Sequence, residues 1–325
     1  MYPTVSAVIP TRNRNDKTLR FLECFSKQTY PNLKIIIVDA NSTDGTQDKI
    51  LSRFPRVTVI HVDDDNYWTG STNRGVKFAL EEKSDFILTI NDDSYVESDY
   101  VTNLVELALK HNTLILGSRI DYMIQPGLVW SMGSYSRWGT RHILQLSYNL
   151  KWSDNLPNDV IEKEIIEVEA LAGNGVLINR QVFESIGLYN ELFLPHYHSD
   201  SELIMRAIKK GIKVYSSVSV VVYNDCTLEN FELRVTNLSA LIAVYFRKKS
   251  NFFFLPIFYI VLMYCPWGKK ISTLVSVFLF PIILPIKEKT LIRTRFKKLL
   301  HKIIKLSLIV TSMLVNWKIK LERNY

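Results

Sequence analysis

Through about Ser118 the chain alternates short β-branched runs with amphipathic stretches, and this alternation constrains its fold more tightly than any other feature. Val5–Ile9, Lys34–Asp39, Val57–Val62, Phe86–Ile90 and Leu114–Gly117 read as strands. Leu19–Phe25 and Val101–Lys110 lie between them and repeat apolar residues at helical spacing. Strands separated by helices of this length imply βαβ crossovers, so the expected class is α/β, with a mostly parallel central sheet flanked by helices. In such sheets ligands collect at the carboxyl ends of the strands. A polar cluster follows each of the first four strands: Thr11–Arg14, Asp39–Asp44, Asp63–Asn66 and Asn91–Ser94. Four polar loops are therefore expected along one edge.

From residue 120 to about 164 the regularity fades, and aromatic residues such as Tyr122, Trp130, Trp138 and Trp152 are scattered among polar ones. This stretch reads as an insertion. Periodicity returns at Ile165–Ala170 and Val176–Ile178, then in helices around Arg180–Ile186 and Asp200–Lys210 and a strand around Lys213–Val222. A first domain over residues 1–236 is expected, with a helical region over 237–325. The second region holds two apolar runs, Phe252–Met263 and Ile271–Ile286, broken by CPWGKK and by Pro256, Pro281 and Pro285. Neither run reaches the roughly 20 residues that a straight bilayer-spanning helix needs. They read as interfacial or shallow re-entrant segments, with a tight helical hairpin as the rival.

The charge is unevenly placed. Eleven Lys or Arg against Glu288 and Glu322 give Lys287–Tyr325 a charge of +9, which leaves −1 for the preceding 286 residues. A nucleic-acid protein would spread basic residues over a reading surface, so this distribution argues against such a partner and for an anionic membrane surface. Within the tail Ile292, Phe296, Leu299, Ile303 and Leu306 recur at helical spacing, with Arg293, Lys297 and Lys302 on other faces. That pattern describes a basic amphipathic helix lying in a membrane surface. The opening MYPTVSAVIPTR lacks a basic leader and a cleavage site, so it reads as a first strand and the expected location is cytoplasmic. Three cysteines without a CxxC pair suit a reducing compartment and form no zinc pattern.

The strand-end loops carry the chemistry. NDDS follows the apolar strand FILTI, which puts Asp92 and Asp93 where two carboxylates can meet a hard divalent cation such as Mg2+ or Mn2+. Such an ion takes oxygen ligands and shares substrate phosphates, so a diphosphate is its natural partner. In DANSTDGT, Asp39 can face a base or a ribose hydroxyl, while Asp44 can cap the next helix. DDDNYWTGSTNRG offers Asn66, Asn73 and Arg74 around a helix start, but no GxGxxG or Walker lysine loop occurs. In LPHYHSDSELIMRA, Asp200 can cap a helix or act as general base toward an acceptor hydroxyl, with His198 and Glu202 beside it. One such base and no covalent nucleophile would suffice for inverting transfer.

In order and spacing, VSAVIPTRNR, IIIVDANSTDGT, NYWTGSTNRG, FILTINDDS, LAGNGVLINRQVFESIGLYNELF and HSDSELIMRA resemble glycosyltransferase family 2 enzymes of the GT-A fold, over residues 3 to 225. The likeness is greatest to rhamnosyltransferase-type enzymes of bacterial polysaccharide and O-antigen assembly. It implies a nucleotide-diphosphate sugar donor, a glycan or polyprenyl-diphosphate-linked acceptor, and a place at the cytoplasmic face of the inner membrane. It also implies that Asp39 contacts the base and that Pro10, Thr11 and Arg12 line the nucleotide pocket. Asn91, Asp92 and Asp93 stand at the DXD position, with Asp93 the principal metal ligand and Asp92 nearer the ribose and donor sugar. Gly173, Asn174 and Gly175 match a loop bordering the donor sugar and acceptor, and the 120–164 insertion would lie on the acceptor side. The family's Glu-Asp pair before the helix reads Ser199-Asp200 here, which makes Asp200 the expected base and His198 and Glu202 its alternates.

Two other readings compete. A nucleotidyltransferase would share the sheet and acidic site but needs a Gly-rich phosphate loop, and Thr11–Asp16 contains no Gly. A non-catalytic membrane-surface protein would explain the tail but not four polar strand-end loops.

Overall fold

The computed structural model describes residues 2–63, 66–225 and 243–283, with side-chain burial through Phe278. It divides into two compact units, one holding residues 2–135 and 146–225 and the other residues 136–145 with 243–283. The expected boundary at 236 lies outside the described residues, as do Cys226 and the basic tail from Lys287.

The first unit is built on strand alternation. In β1 (Val5–Thr11) Val5, Ala7 and Ile9 point into one buried cluster and Val8 into another. β2 (Leu33–Asp39) divides likewise, with Ile37 on the first face and Ile36 and Val38 on the second. Successive side chains of a strand point to opposite faces, so an apolar run forces cover on both. On one side the cover is α1 (Asn15–Phe25), α2 (Thr46–Arg53) and α4 (Tyr100–Lys110), which contribute Leu22, Ile50 and Leu104. On the other it is α3 (Tyr67–Glu81), α6 (Arg180–Ile186) and α7 (Ser199–Lys209), which contribute Val76, Val182 and Leu203. A Cβ on Gly75 would stand 2.9 Å from a Val38 methyl, so only glycine lets α3 settle this close to the sheet.

The mostly parallel sheet expected from sequence is corrected to a mixed one. β3 (Thr58–His61), β2, β1 and β4 (Phe86–Thr89) are parallel neighbours, reached by helical crossovers. β12 (Val176–Asn179) then enters antiparallel between β4 and β6 (Ile115–Tyr122). The order along the main path is β10 (Lys151–Trp152), β7 (Leu128–Ser131), β6, β12, β4, β1, β2, β3. The cause is the long excursion after β6: β7 folds back on β6, and β10 on β7. The segment read as an irregular insertion thus opens with the end of a sheet strand. It also contains β8 (Ser134–Ser136) paired with β9 (Leu144–Leu146), and a short α5 (Asn158–Ile161). β13 (Tyr215–Asn224) runs parallel to β6 and pairs antiparallel with β11 (Ile165–Glu167) and with β5 (Ser94–Tyr95).

In the second unit the apolar runs are helical. α8 (Phe254–Tyr264) and α9 (Lys270–Ile283) are joined by a short turn that contains Trp267, so both runs are helical and form a hairpin. Pro256 sits in the first turn of α8, where its missing N–H has no helical acceptor to lose. Ile257, Val261, Cys265 and Val277 close a small core over Ile143, and the Gly139 N–H donates to Thr273 Oγ1 at 2.8 Å.

Candidate active site

The carboxyl ends of β1, β2 and β4 carry Thr11, Asp39 and the Asn91–Ser94 loop to one edge, with Thr11 opposite Asp39 in the ladder. Asp92 is buried. One of its oxygens accepts the Thr11 hydroxyl at 2.8 Å and the Thr18 hydroxyl at 3.0 Å, and the other lies 3.2 Å from Arg14 Nη2. The same Arg14 nitrogen donates to Asp93 Oδ2 at 2.7 Å. One guanidinium from the β1–α1 loop therefore bridges both acids of the β4 loop, a contact that the sequence reading did not assign. Burial pushes the Asp92 carboxyl upward, and the Arg14 charge and the two hydroxyl donors oppose it without cancelling it. Burial would lower Arg14, but the two carboxylates outweigh it and hold the guanidinium firmly charged.

The loops after β1 and β2 interlock. Asn13, at a φ of 49°, accepts the Thr43 N–H through Oδ1 at 2.7 Å and donates its own N–H to Ser42 Oγ at 2.8 Å. Asp44 accepts the Asn15 N–H at 3.0 Å and the Thr46 N–H at 3.2 Å, so it ties the start of α2 to the first loop. Asp39 is buried, takes the Ser42 hydroxyl and N–H, and lies 3.9 Å from His61 Nδ1. Its carboxylate is thus engaged by its own loop. Pro10 and Arg12 flank Thr11 on this edge, with Arg12 exposed.

A second set of contacts joins this edge to the α7 end. Trp68, at the start of α3, donates its indole N–H to Asn91 Oδ1 at 3.2 Å and packs edge-on to Tyr189. A Cβ on Gly173 would stand 2.6 Å from the Trp68 ring and 3.2 Å from Asp200 Cβ. The close approach of loop, ring and α7 therefore requires glycine. The Gly173 N–H donates to Asp200 Oδ2 at 2.8 Å, and the Ser201 N–H to Asp200 Oδ1 at 2.7 Å. Asn174 is buried and accepts the Asn91 N–H at 2.9 Å and the Ser94 hydroxyl at 3.0 Å, while its Nδ2 has no protein partner. Asp39, Thr11, Asp92, Asp93, Asn91, Trp68, Gly173 and Asp200 thus form one continuous run of contacts. An open groove of about 830 Å³ lies elsewhere in the unit, lined by Tyr148, Val160, Ile166, Val168 and Val214 among others, and contains none of these residues.

Two expected site residues take other roles. Glu202, proposed as an alternate base, is only 1% exposed and pairs with Arg206 at 2.9 Å. Arg206 also donates to the carbonyls of Ile186 and Leu188, so Glu202 serves an interior anchor and offers no face to an acceptor. Asn73, expected beside the donor, is buried and exchanges two hydrogen bonds with the Tyr189 backbone, at 2.9 and 3.0 Å. It clamps the 189–191 segment to α3. Asn66 stays on its own loop, donating to the Asp63 carbonyl at 2.8 Å. His198 precedes α7 in the left-handed region, φ 69°, and its carbonyl accepts the Glu202 N–H. Trp68 and Arg14 were the residues sequence reasoning passed over; their signal was a bulky ring and a cation inside loops already bound for the same edge.

A hard divalent ion needs oxygen ligands and is commonly bound by one or two carboxylates plus substrate phosphates. Asp93 is the more accessible of the pair, at 22% against 3% for Asp92. Among the described residues no group of three or more His, Cys, Asp or Glu could hold a metal unaided. The donor set fits an ion shared with a diphosphate, reached through Asp93.

Residues 6–167 match the model of glycosyl transferase family 2. The domain belongs to that family. Glycosyltransferase GlyG of Streptococcus pneumoniae serotype 4 is 27% identical over 126 residues, covering 38% of this chain and 41% of that relative. GalNAc-T7, solved with UDP, GalNAc and Mn2+, superposes with a TM-score of 0.55 at 16% identity, over 75% of this chain and 48% of the other. TarS residues 1–349 from S. aureus give 0.50 at 15% identity, over 68% and 60%. The chain thus spans less than half the length of the curated relative. The structural likenesses establish an α/β fold of GT-A type, with a mixed sheet flanked by helices. The matched residues include Thr11, Asp39, Trp68 and the Asn91–Ser94 loop, while Asp200, in the first turn of α7, follows them.

Proposed function

We propose that this chain is an inverting glycosyltransferase moving a sugar from a nucleotide-diphosphate donor to a glycan or polyprenyl-diphosphate-linked acceptor in cell-surface polysaccharide synthesis, with rhamnose as the candidate sugar. The observation that carries the reading is the run of contacts from Asp92 and Asp93 through Asn91, Trp68 and Gly173 to Asp200. It joins the paired acids Asp92 and Asp93 to the held Asp200 carboxylate, which supports reading them as the two ends of one site.

The nucleotide end falls to Pro10, Thr11, Arg12 and the Asp39 loop, where a base reaching Asp39 takes over the bonds now made by Ser42. Asp93 and Asp92 would hold Mg2+ or Mn2+, and such an ion would neutralise charge gathering on the leaving diphosphate. Arg14, already between the two acids, is placed to follow that charge. Asp200 keeps lone pairs beyond its two backbone donors. It accepts the acceptor's hydroxyl proton as the hydroxyl oxygen bonds to the anomeric carbon and the bond from that carbon to the diphosphate breaks. Attack opposite the leaving group inverts the centre with no covalent enzyme intermediate. The proposed location is the cytoplasmic face of the membrane, supported by the basic C-terminal sequence.

A panel of nucleotide sugars, screened by thermal shift with and without Mn2+, tests the donor reading; one nucleotide sugar should raise the melting temperature in a metal-dependent way. With that donor, Asp200→Asn should keep binding and lower kcat by about 10²-fold or more. Turnover at the parent rate would remove Asp200 as base.

A further inference from the structure

α8 is apolar on both sides. Ile257, Ile260 and Val261 are buried, and Ile257 and Val261 meet Ile143 and Val277 in the small core of the second unit. Phe254, Phe258 and Leu262, spaced by four residues, share another face and stand exposed, Phe258 at 44% and Leu262 at 45%. Met263, Trp267 at 63% and Ile271 continue the exposed apolar surface into the turn and the start of α9. A helix that is apolar all round belongs in a protein interior or in lipid.

Charge decides between those settings. Residues 243–283 contain Arg247, Lys248, Lys249, Lys269 and Lys270 and no Asp or Glu. Lys270 places its ammonium 4.9 Å over the Trp267 ring, which sets a cation and an amphipathic aromatic side by side at the turn. Tryptophan with lysine is the pair that favours a membrane–water boundary, where the ring meets the acyl region and the ammonium meets headgroups. At 11 and 14 residues the two helices measure about 17 and 21 Å, short of the roughly 30 Å hydrocarbon core. Among the described residues no helix is long and apolar enough to cross a membrane.

We infer that the outer face of α8 with the Trp267 turn is a membrane-docking wedge, which lies in the surface of an anionic bilayer with Phe258, Leu262 and Trp267 below the headgroups and Lys269 and Lys270 among them. The inference deepens the proposed membrane location by naming the surface that docks. Vesicle binding is read without substrate, so its outcome is independent of the transferase reading.

The test uses the full chain and phosphatidylcholine vesicles with or without phosphatidylglycerol. The parent should bind the anionic vesicles at least about tenfold more tightly than the neutral ones. Phe258→Glu combined with Leu262→Glu should weaken anionic-vesicle binding at least about tenfold at an unchanged melting temperature. The basic sequence from Lys287 would bind vesicles by charge alone, so insertion is measured separately. Lipids brominated high on the acyl chain should quench a component of the parent's tryptophan fluorescence that Trp267→Phe lacks. If the double variant fails to fold, the Trp267→Phe comparison still decides. Equal quenching in parent and Trp267→Phe overturns the wedge. So does parent-like vesicle affinity in a folded double variant, or a change in sedimentation mass with no change in lipid binding, which would assign the face to a second copy.

Discussion

Helices α7 and α8 are each 11 residues long, yet they invert one another's use of polarity. α7 buries a charged residue, Glu202, beside Leu203 and Ile204, while α8 exposes apolar ones, Phe258 and Leu262. In α7 the buried acid is tolerable because Arg206 stands one turn away and ties it to the carbonyls of Ile186 and Leu188. Among the described residues nothing comparable offsets the exposure of α8, where Phe258 and Leu262 stand uncovered. The first helix spends its polarity on holding a site in place. The second keeps an apolar surface available to something other than its own core. Burial thus marks an interior anchor in α7, and exposure marks the face proposed to dock in α8.

Substitutions can break this contrast. The largest effect on stability is expected for Glu202→Ala, which leaves Arg206 without its carboxylate in a mostly buried setting. Chemical denaturation should show a loss of about 3 kcal/mol, and an unchanged midpoint would mean that the pair contributes nothing. Asn73→Ala should cost about 2 kcal/mol, since it strands both the N–H and the carbonyl of Tyr189. Turnover should fall along with stability in that variant, because the 189–191 segment loses its clamp to α3. Phe258→Ser should shift stability by less than about 0.5 kcal/mol, as for a surface position, while weakening vesicle binding. A large drop in its melting temperature would show that the face is covered within the protein and would sharpen the comparison in the opposite direction.

Much of the first unit was legible in the sequence. β1, β2 and β4 lie where β-branched runs predicted them, and α1, α4, α6 and α7 lie where apolar spacing did, because both signals are local. The placement of polar clusters after strands brought Asp39, Asp92 and Asp93 to one edge for the same reason. The antiparallel entry of β12 was not legible, since which strand becomes a neighbour depends on where a long excursion returns. For the hairpin the apolar runs and their interrupting prolines were visible, but where the helices begin and end around those prolines was not. Proline in a first helical turn and proline in a break read alike along the chain.

The sequence by itself determined β1, β2, β4, α1, α4, α6 and α7 of the first unit, the family pattern and the concentration of cationic and apolar residues toward the C-terminus, all carried by neighbours along the chain. Tertiary structure alone decided that Arg14 bridges Asp92 and Asp93, that the Trp68 ring fills the space over Gly173, and that the Glu202–Arg206 pair, local in itself, is held against the carbonyls of Ile186 and Leu188. These facts rest on contacts between residues separated by up to about a hundred positions. Only the packing of helices on a particular sheet order brings such groups within hydrogen-bonding reach, and no local preference encodes that distance.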